Sequence, residues 1–454
     1  MTTNLPVVVV GAGPQGLAAA AHLLERGLEP LVLEAGEAAA WAVRQWAHVR
    51  LFSSWSELVD PAAARLLTAS GWEQPVDGYP MGREWVEAYL APLAEALGDR
   101  VRYGTRVTGV SRRGRDRLVS SGRADQPFTV HVSGDGGEAR LDARAVVDAS
   151  GTWTQPSPAG ADGLPALGER AAATAADRRL TYLAPTPDQV AGLAGRHVVV
   201  VGSGHSAMTA VNDLAALART ASGTRVTWVL RRGVVGDTFG GGVADELPQR
   251  GALGLRARRA VDEGLVDLVT GFRVEAVTPT GADGEAGLVL IAEDGRALPP
   301  ADRVVVLTGF RPDLSFLSEM RLDLDPVLQA PTRLAGEIDP NLHSCGSVSP
   351  HGAAELAQPE PGLYLVGMKS YGRAPTFLAM TGYEQVRSVA AELAGDHEAA
   401  ARVELVLPDT GVCGGPGLFD DPAGASSGGC CGPAATDRAA EPQLVSVGSL
   451  FARS

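Results

Sequence analysis

The chain has 454 residues, of which 45% are hydrophobic and 20% are charged, and its formal net charge is -14. This length suits two or three domains with a sizeable buried core, and the acidic balance argues against a general nucleic-acid surface. The start of the chain lacks a basic, apolar signal segment and no apolar run could cross a bilayer, so we expect a cytoplasmic protein without a membrane partner.

The first predicted elements form a β-α-β unit in residues 6–35. Its two strands are VVVV and PLVLEAG, and the helix between them ends at Gly27. In the loop GAGPQG, Gly11 permits a tight turn, Gly13 lets a pyrophosphate approach the backbone, and Gly16 lets the helix pack on the strand. The helix start offers N–H groups to phosphate, and Glu34 can accept hydrogen bonds from ribose hydroxyls. This unit predicts a dinucleotide site.

The pattern continues with a helix over 81–97, β-type runs between 101 and 141, and a short buried strand at 145–149. A connector rich in proline and glycine follows, and a second β-α-β unit opens at Arg196. Its loop has the form G-x-G-x-x-A, with Gly202, Gly204 and Ala207. No acid ends its second strand. Instead Arg231 and Arg232 stand there, which favours the 2′-phosphate of NADPH.

Two nucleotide units in one chain predict a tightly held flavin and an exchanging nicotinamide nucleotide. The fold class that follows is α/β, with two Rossmann-like dinucleotide-binding domains. His205, inside the second loop, is predicted to contact phosphate or sugar rather than to act as a catalytic base. No catalytic acid–base residue is predicted, because the flavin carries the chemistry, and no metal site is predicted.

Several segments together resemble the flavoproteins with two dinucleotide-binding domains, which include flavin-containing monooxygenases and thioredoxin-reductase-like enzymes. These segments are GAGPQGLAAAAHLLERG with LVLEAG, VVDASGTWTQP, VVVVGSGHSA, VVLTGFRPD and LYLVGMKSYGRAPTF. The resemblance implies that the first unit binds FAD and that an inserted second unit binds NADPH. The implied FAD residues are Gly11, Gly13, Pro14, Gln15, Gly16, Glu34, Trp41, Ser150, Gly151, Gly309, Gly367 and Met368. The implied NADPH residues are Gly202, Ser203, Gly204, His205, Ser206, Ala207, Arg231 and Arg232.

The resemblance also implies a division of the chain. Residues 1–158 would be the first part of the FAD-binding domain, 159–308 the inserted NADPH-binding domain, 309–404 the second part of the FAD-binding domain, and 405–454 a flexible tail rich in glycine, serine and cysteine. A homodimer is expected from the family alone.

Within the family, the VGMKSYGRAPTF block and the tail, with LPDTGVC followed by a CC pair, resemble the flavin monooxygenases of arsenic-resistance operons. Two departures narrow the chemistry. The F-x-G-x-x-x-H-x-x-x-W fingerprint before the second unit is absent, which argues against Baeyer–Villiger or amine oxygenation. Neither CxxC nor CxxxxC occurs in the flavin or nicotinamide units, which argues against thioredoxin-reductase and lipoamide-dehydrogenase chemistry.

Three of the four cysteines, Cys413, Cys430 and Cys431, lie after residue 405. Three thiolates satisfy trivalent arsenic or a soft metal, whereas a vicinal pair could instead pass electrons, and the tail could also be inert. Cys345 is predicted to be a small buried residue.

The function that follows is an FAD- and NADPH-dependent oxidoreductase of monooxygenase type. NADPH would reduce FAD, O2 would reoxidise it, and the tail cysteines would capture a trivalent arsenical or another thiophilic substrate. One alternative is an NADPH-dependent disulfide or metal reductase with a C-terminal dithiol. The other is a metalloid-binding or sensing flavoprotein.

Overall fold

Two parallel β-sheets, one around each predicted nucleotide loop, organise the chain. The computed structural model describes residues 5–405 except 234–235, 246, 282–286, 343–348 and 376. The strands are β1 (Val7–Val10), β2 (Pro30–Leu33), β3 (Val101–Arg102), β4 (Arg106–Arg112), β5 (Phe128–Gly134), β6 (Gly137–Ala143), β7 (Ala145–Asp148), β8 (Leu180–Thr181), β9 (His197–Val201), β10 (Arg225–Val229), β11 (Asp267–Val269), β12 (Val274–Pro279), β13 (Leu288–Ala292), β14 (Arg303–Val306) and β15 (Leu363–Leu365).

The helices are α1 (Pro14–Glu25), α2 (Trp41–Gln45), α3 (Trp55–Leu58), α4 (Pro61–Thr68), α5 (Gly82–Trp85), α6 (Ala91–Leu97), α7 (Glu169–Thr174), α8 (Pro187–Ala191), α9 (His205–Thr220), α10 (Pro248–Asp262), α11 (Thr332–Ile338), α12 (Ala353–Leu356), α13 (Ala379–Ala394) and α14 (His397–Ala401). A π-helical turn, Val86–Leu90, joins α5 to α6. Short 3₁₀ turns lie at Gly98–Arg100, Gly236–Phe239, Gly242–Ala244, Ser315–Leu317 and Gly367–Tyr371.

The first sheet has the strand order β15-β7-β1-β2-β3, and all of its pairs are parallel. Its central strand VVVV is buried on both faces, as parallel sheets require. Val7 and Val9 pack in the cluster that contains α1 and α13, whereas Val8 and Val10 pack against the antiparallel meander β4-β5-β6.

The second sheet repeats this plan with the order β11-β10-β9-β14-β8, again entirely parallel. Val198 and Val200 of β9 face the cluster that contains α9 and α10. Val199 and Val201 face the antiparallel hairpin β12-β13. Each sheet thus has helices on one face and an antiparallel sheet on the other. The predicted fold class, two Rossmann-like α/β units, is confirmed.

Two chain segments cross between the sheets side by side. Pro156 and Phe310 form an antiparallel bridge, and the rings of Trp153 and Phe310 stack with centroids 4.7 Å apart. Within the described ranges, no helix is both long and apolar enough to span a membrane.

Candidate functional site

The three glycines of the first loop are each required for a different geometric reason. Gly11 has a φ of +98°, and a Cβ there would lie 3.0 Å from the Ala149 carbonyl oxygen. A Cβ on Gly16 would lie 1.9 Å from the Gly11 oxygen, so only glycine lets α1 approach the strand. A Cβ on Gly13 would have no protein atom within 4 Å. Gly13 therefore borders open space at the start of α1, where Pro14 takes the first helical position.

Glu34 fixes this loop through hydrogen bonds to its backbone. Its two carboxylate oxygens accept hydrogen bonds from the backbone N–H groups of Ala12 and Gly36, each at 2.7 Å. The Ala12 carbonyl accepts a third bond from Ala40, at 2.8 Å, and Ala40 adopts the left-handed region with a φ of 56°. Trp41 packs directly over Gly36, where a Cβ would lie 2.6 Å from its ring. The carboxylate predicted for ribose thus also fixes the loop itself.

The fold brings distant predicted residues beside this loop. The position of a Cβ on Gly11 is 3.1 Å from the Ser150 Cα, and Gly151 follows Ser150 with a φ of +67°. The position of a Cβ on Gly367 is 2.9 Å from the Gln15 Cγ. Met368 follows in the same 3₁₀ turn.

Two of the residues predicted to bind FAD form hydrogen bonds that connect separate segments of the protein. The side chain of Gln15 is buried, and its Nε2 donates to the Ala379 carbonyl of α13 at 3.0 Å. This contact joins the start of α13 to the start of α1. Gly309 lies in the crossing segment, where its carbonyl accepts a bond from Ser157 N–H at 2.8 Å.

The second loop has the same construction. Gly202 has a φ of +133°, and a Cβ there would lie 2.2 Å from the Leu307 oxygen. A Cβ on Gly204, which precedes α9, would have no protein atom within 4 Å. The third position of this loop is alanine rather than glycine. The methyl group of Ala207 is fully buried in the core on the α9 side. Ser203 and Ser206 are exposed at the same end of α9.

His205 begins α9 and lies against the first unit, with its ring centroid 5.2 Å from that of Phe52. Burial, and then the positive charge of Arg250, lower the pKa of His205 to about 4. Its imidazole is therefore neutral at physiological pH, which fits the predicted contact role.

This burial predicts acid sensitivity. In the unfolded chain, His205 takes up a proton below its ordinary pKa of about 6.5. In the folded chain, His205 stays neutral down to about pH 4. This histidine alone should lower the free energy of unfolding by about 3 kcal/mol over that window. Urea unfolding at pH 7.5 and 5 should show a smaller acid loss in His205→Gln than in the wild type. The exposed His131 provides the matched control, His131→Gln; equal acid losses in all three proteins would refute the assignment.

Arg231 and Arg232 follow β10 at the carboxyl edge of the second sheet. The Nη1 of Arg231 donates to the Ala161 carbonyl at 3.1 Å. Partial desolvation, and then the charges of Arg232 and Arg273, lower the pKa of Arg231. Guanidinium groups crowded in this way favour an anionic ligand.

Both loops fit the pyrophosphate of a dinucleotide. Each has an open glycine at the start of a helix, and no described side chain caps α1 or α9. N–H groups and a positive helix end are therefore left for an anion.

Two supporting contacts gave no sequence signal. Trp228 Nε1 donates to the Gly202 carbonyl at 2.7 Å, and Gly367 N–H donates to Gln385 Oε1 at 2.7 Å. Each depends on the fold bringing together residues from separate elements.

The predicted cysteines Cys413, Cys430 and Cys431, as well as Cys345, lie outside the described residues. In the part of the chain that the structure describes, no group of three or more histidines and carboxylates could hold a metal ion.

Comparison with known proteins supports the same picture. The family model of pyridine nucleotide-disulphide oxidoreductases matches residues 8–332. No curated protein matches the chain significantly.

Solved structures share the fold. A bacillithiol disulfide reductase from Bacillus cereus is 22% identical with a TM-score of 0.61, and the match covers 86% of this chain and 99% of that one. A flavin-containing monooxygenase from Stenotrophomonas maltophilia is 23% identical with a TM-score of 0.51, over 88% and 99% of the two chains. The FAD-bound cadaverine monooxygenase from Erwinia amylovora is 17% identical with a TM-score of 0.58, over 89% and 98%.

The family model covers more than half of the chain, and both loops have the geometry that dinucleotides require. The chain therefore belongs to the pyridine nucleotide-disulphide oxidoreductase family, and it is an oxidoreductase.

Proposed function

We propose that this enzyme is a monooxygenase that oxidises a trivalent arsenical or another thiophilic substrate. FAD, when bound, would supply the redox chemistry by taking electrons from NADPH and giving them to O2. The overall balance is one NADPH, one proton, one O2 and one As(III) species giving NADP⁺, water and an As(V) species that carries the second oxygen atom. Homodimer formation and a cytoplasmic location stay predictions.

The first unit would hold FAD. Its pyrophosphate would lie over the open face of Gly13 and the start of α1, and Glu34 would accept from the ribose while it keeps its bonds to the loop. The rest of the FAD site, at the same edge of the first sheet, would be formed by Ser150, Gly151, Gly367 and Met368. The second unit would hold NADPH in the same way over Gly204 and the start of α9.

The Arg231 and Arg232 pair would select NADPH over NADH, since charge-assisted bonds to a 2′-phosphate each contribute about 1.5–3 kcal/mol. Replacing both residues with alanine should lower kcat/KM for NADPH by at least about a hundredfold while changing kcat/KM for NADH little. Arg196→Ala is the matched control, because Arg196 is exposed, pairs with Asp302 and precedes β9 at the opposite edge of the sheet. An unchanged preference for NADPH would remove this pair from the site.

One observation favours oxygenation over disulfide chemistry: the first cysteine in the chain is Cys345. Residues 1–344 hold both nucleotide loops, the meander and all of the second sheet, so neither unit can place a cysteine pair beside the flavin from this region. O2 is then the favoured acceptor of the flavin's electrons, because electron transfer to O2 requires no cysteine in residues 1–344.

The described chain ends close to the first site. Arg387 Nη1 donates to the Ala399 carbonyl at 2.8 Å, and Glu404 N–H donates to Glu384 Oε1 at 3.3 Å. Glu384 lies in the second turn of α13, whose first turn contacts Gln15 of the FAD loop. The segment that leads to the cysteines therefore leaves from α13, the helix whose first turn contacts that loop.

The test is NADPH consumption by the purified enzyme with and without arsenite or methylarsenite, with the As(V) product measured in the presence of catalase. The arsenical should stimulate consumption and yield As(V) in the wild type. A variant with serine at Cys413, Cys430 and Cys431 should lose this response and keep its basal flavin reduction, and Cys345→Ser is the matched control. No stimulation by any arsenical, with equal rates in the triple variant, would contradict the substrate proposal.

The vicinal pair Cys430 and Cys431 favours a second candidate, an NADPH-dependent disulfide or metal reductase with a mobile dithiol. Thiol titration after anaerobic addition of NADPH separates the two. Two new thiols per chain would support the reductase, and an unchanged thiol count would support the oxygenase.

A further inference from the structure

Lys369 is the only lysine in the chain, which otherwise uses arginine for its basic side chains: 39 residues are lysine or arginine. It lies in the 3₁₀ turn Gly367–Tyr371 that follows β15, and its side chain has no exposed surface. A buried charged side chain is uncommon unless it is paired. A position that takes lysine in such a chain suggests that an ammonium group is specifically required.

The ammonium group contacts three partners. Lys369 Nζ lies 2.6 Å from Asp148 Oδ2, and the Asp148 side chain is also fully buried. It donates a hydrogen bond to Ser150 Oγ at 2.9 Å and lies 4.4 Å from the centroid of the Phe316 ring. A compact ammonium group can form an ion pair, a hydrogen bond to a hydroxyl and a cation–π contact in three different directions. The planar fork of a guanidinium is larger and suits two parallel acceptors instead.

These contacts join the two segments that border the first nucleotide loop. Asp148 Oδ1 accepts bonds from the Ser150 N–H at 3.1 Å and from the Ser150 hydroxyl at 2.6 Å. Ser150 lies against Gly11, and the turn that carries Lys369 begins at Gly367, which lies against Gln15. Lys369 therefore bonds to β7 and its crossing segment from the turn after β15, at the carboxyl edge of the first sheet.

We propose that Lys369 is a positioning residue for FAD, acting through Asp148 and Ser150. Its role would be to fix Ser150, Gly151 and the Gly367–Met368 turn where the cofactor binds. This proposal rests on the proposed FAD site in the first unit. A buried ion pair rarely stabilises a fold more than apolar residues of the same volume would. The Lys369–Asp148 pair lies beside the proposed FAD site, so positioning of the cofactor explains the pair where a contribution to stability does not.

The first experiment measures FAD affinity. FAD is removed from wild-type, Lys369→Met, Lys369→Arg and Asp148→Asn proteins, and the dissociation constant is measured by quenching of FAD fluorescence on rebinding. We expect affinities about tenfold to a hundredfold weaker in all three variants. Lys369→Arg should fail to rescue, because the guanidinium does not fit the three partners. Arg123→Met breaks a buried ion pair in the meander and serves as the matched control, with its FAD affinity unchanged.

Thermal unfolding of the same apoproteins separates positioning from folding. Variants that bind FAD as tightly as the wild type, whatever their melting temperature, would overturn the proposal. A wild-type protein that binds no FAD would instead overturn the proposed FAD site itself.

The second experiment uses the intact enzyme, in case the variants do not fold. Because the chain has one lysine, growth with [13Cε]lysine gives a single lysine NMR signal. That signal should shift when FAD is removed and again when the bound flavin is reduced with dithionite. A signal identical in apoprotein, oxidised and reduced holoprotein would show that Lys369 does not sense the cofactor, which contradicts the proposal.

Discussion

Gly16→Ala is expected to yield a protein that binds no FAD and is colourless. The new methyl carbon would lie 1.9 Å from the Gly11 oxygen and 3.4 Å from a Val9 side-chain carbon, so α1 would have to move away from β1. That movement removes the helix start from the phosphate position. We expect FAD affinity to fall at least about a hundredfold, and apoprotein stability to fall by about 1–3 kcal/mol from overpacking.

Two matched variants separate the causes. Gly13→Ala adds a methyl group that meets no protein atom within 4 Å, so its apoprotein should melt like the wild type while its FAD binding weakens. Gly202→Ala would place its methyl group 2.2 Å from the Leu307 oxygen in the second unit. It should keep FAD and lose reduction by NADPH. A Gly16→Ala protein that purifies with one FAD per chain would refute the assignment of the first loop.

Glu360→Gln is expected to cost about 3–5 kcal/mol of stability. Glu360 is 2% exposed and accepts hydrogen bonds from Arg112 Nε at 3.1 Å and Arg123 Nε at 2.7 Å, and both arginines are also buried. Burial alone would raise the pKa of Glu360, but the bonds from Arg123 and Arg112 outweigh burial and hold this pKa below its usual value. Loss of the carboxylate leaves two guanidinium groups without their buried anion.

Urea unfolding at neutral pH measures this cost. The matched control is Glu293→Gln, which breaks the exposed pair between Arg273 and Glu293 and should change the free energy of unfolding by less than about 1 kcal/mol. If the two variants lose equal stability, burial of Glu360 between Arg112 and Arg123 adds nothing beyond an exposed ion pair, and the account of this network is wrong.

The sequence predicted those parts of the site that depend on local geometry. Gly11, Gly13, Gly16 and Gly202 could be assigned because tight turns and close backbone approaches leave few alternatives to glycine. Glu34 was predicted as a ribose ligand, but its two bonds to the loop backbone appear only in the structure.

Contacts between distant residues could not be predicted in this way. Arg112 and Glu360 are 248 residues apart, and Ser150 and Lys369 are 219 apart. Their partners are set by the pairing of β15 with β7, which no local pattern shows. The occurrence of a single lysine in the chain was a sequence signal that could have singled out this position.

The central claim is that NADPH bound at the second loop reduces FAD bound at the first. The most direct measurement is an anaerobic titration of the purified enzyme with NADPH, followed by the visible absorbance of the flavin. We predict that the band bleaches in proportion to added NADPH and returns when O2 is admitted. A flavin band that dithionite bleaches but NADPH leaves unchanged would contradict the account.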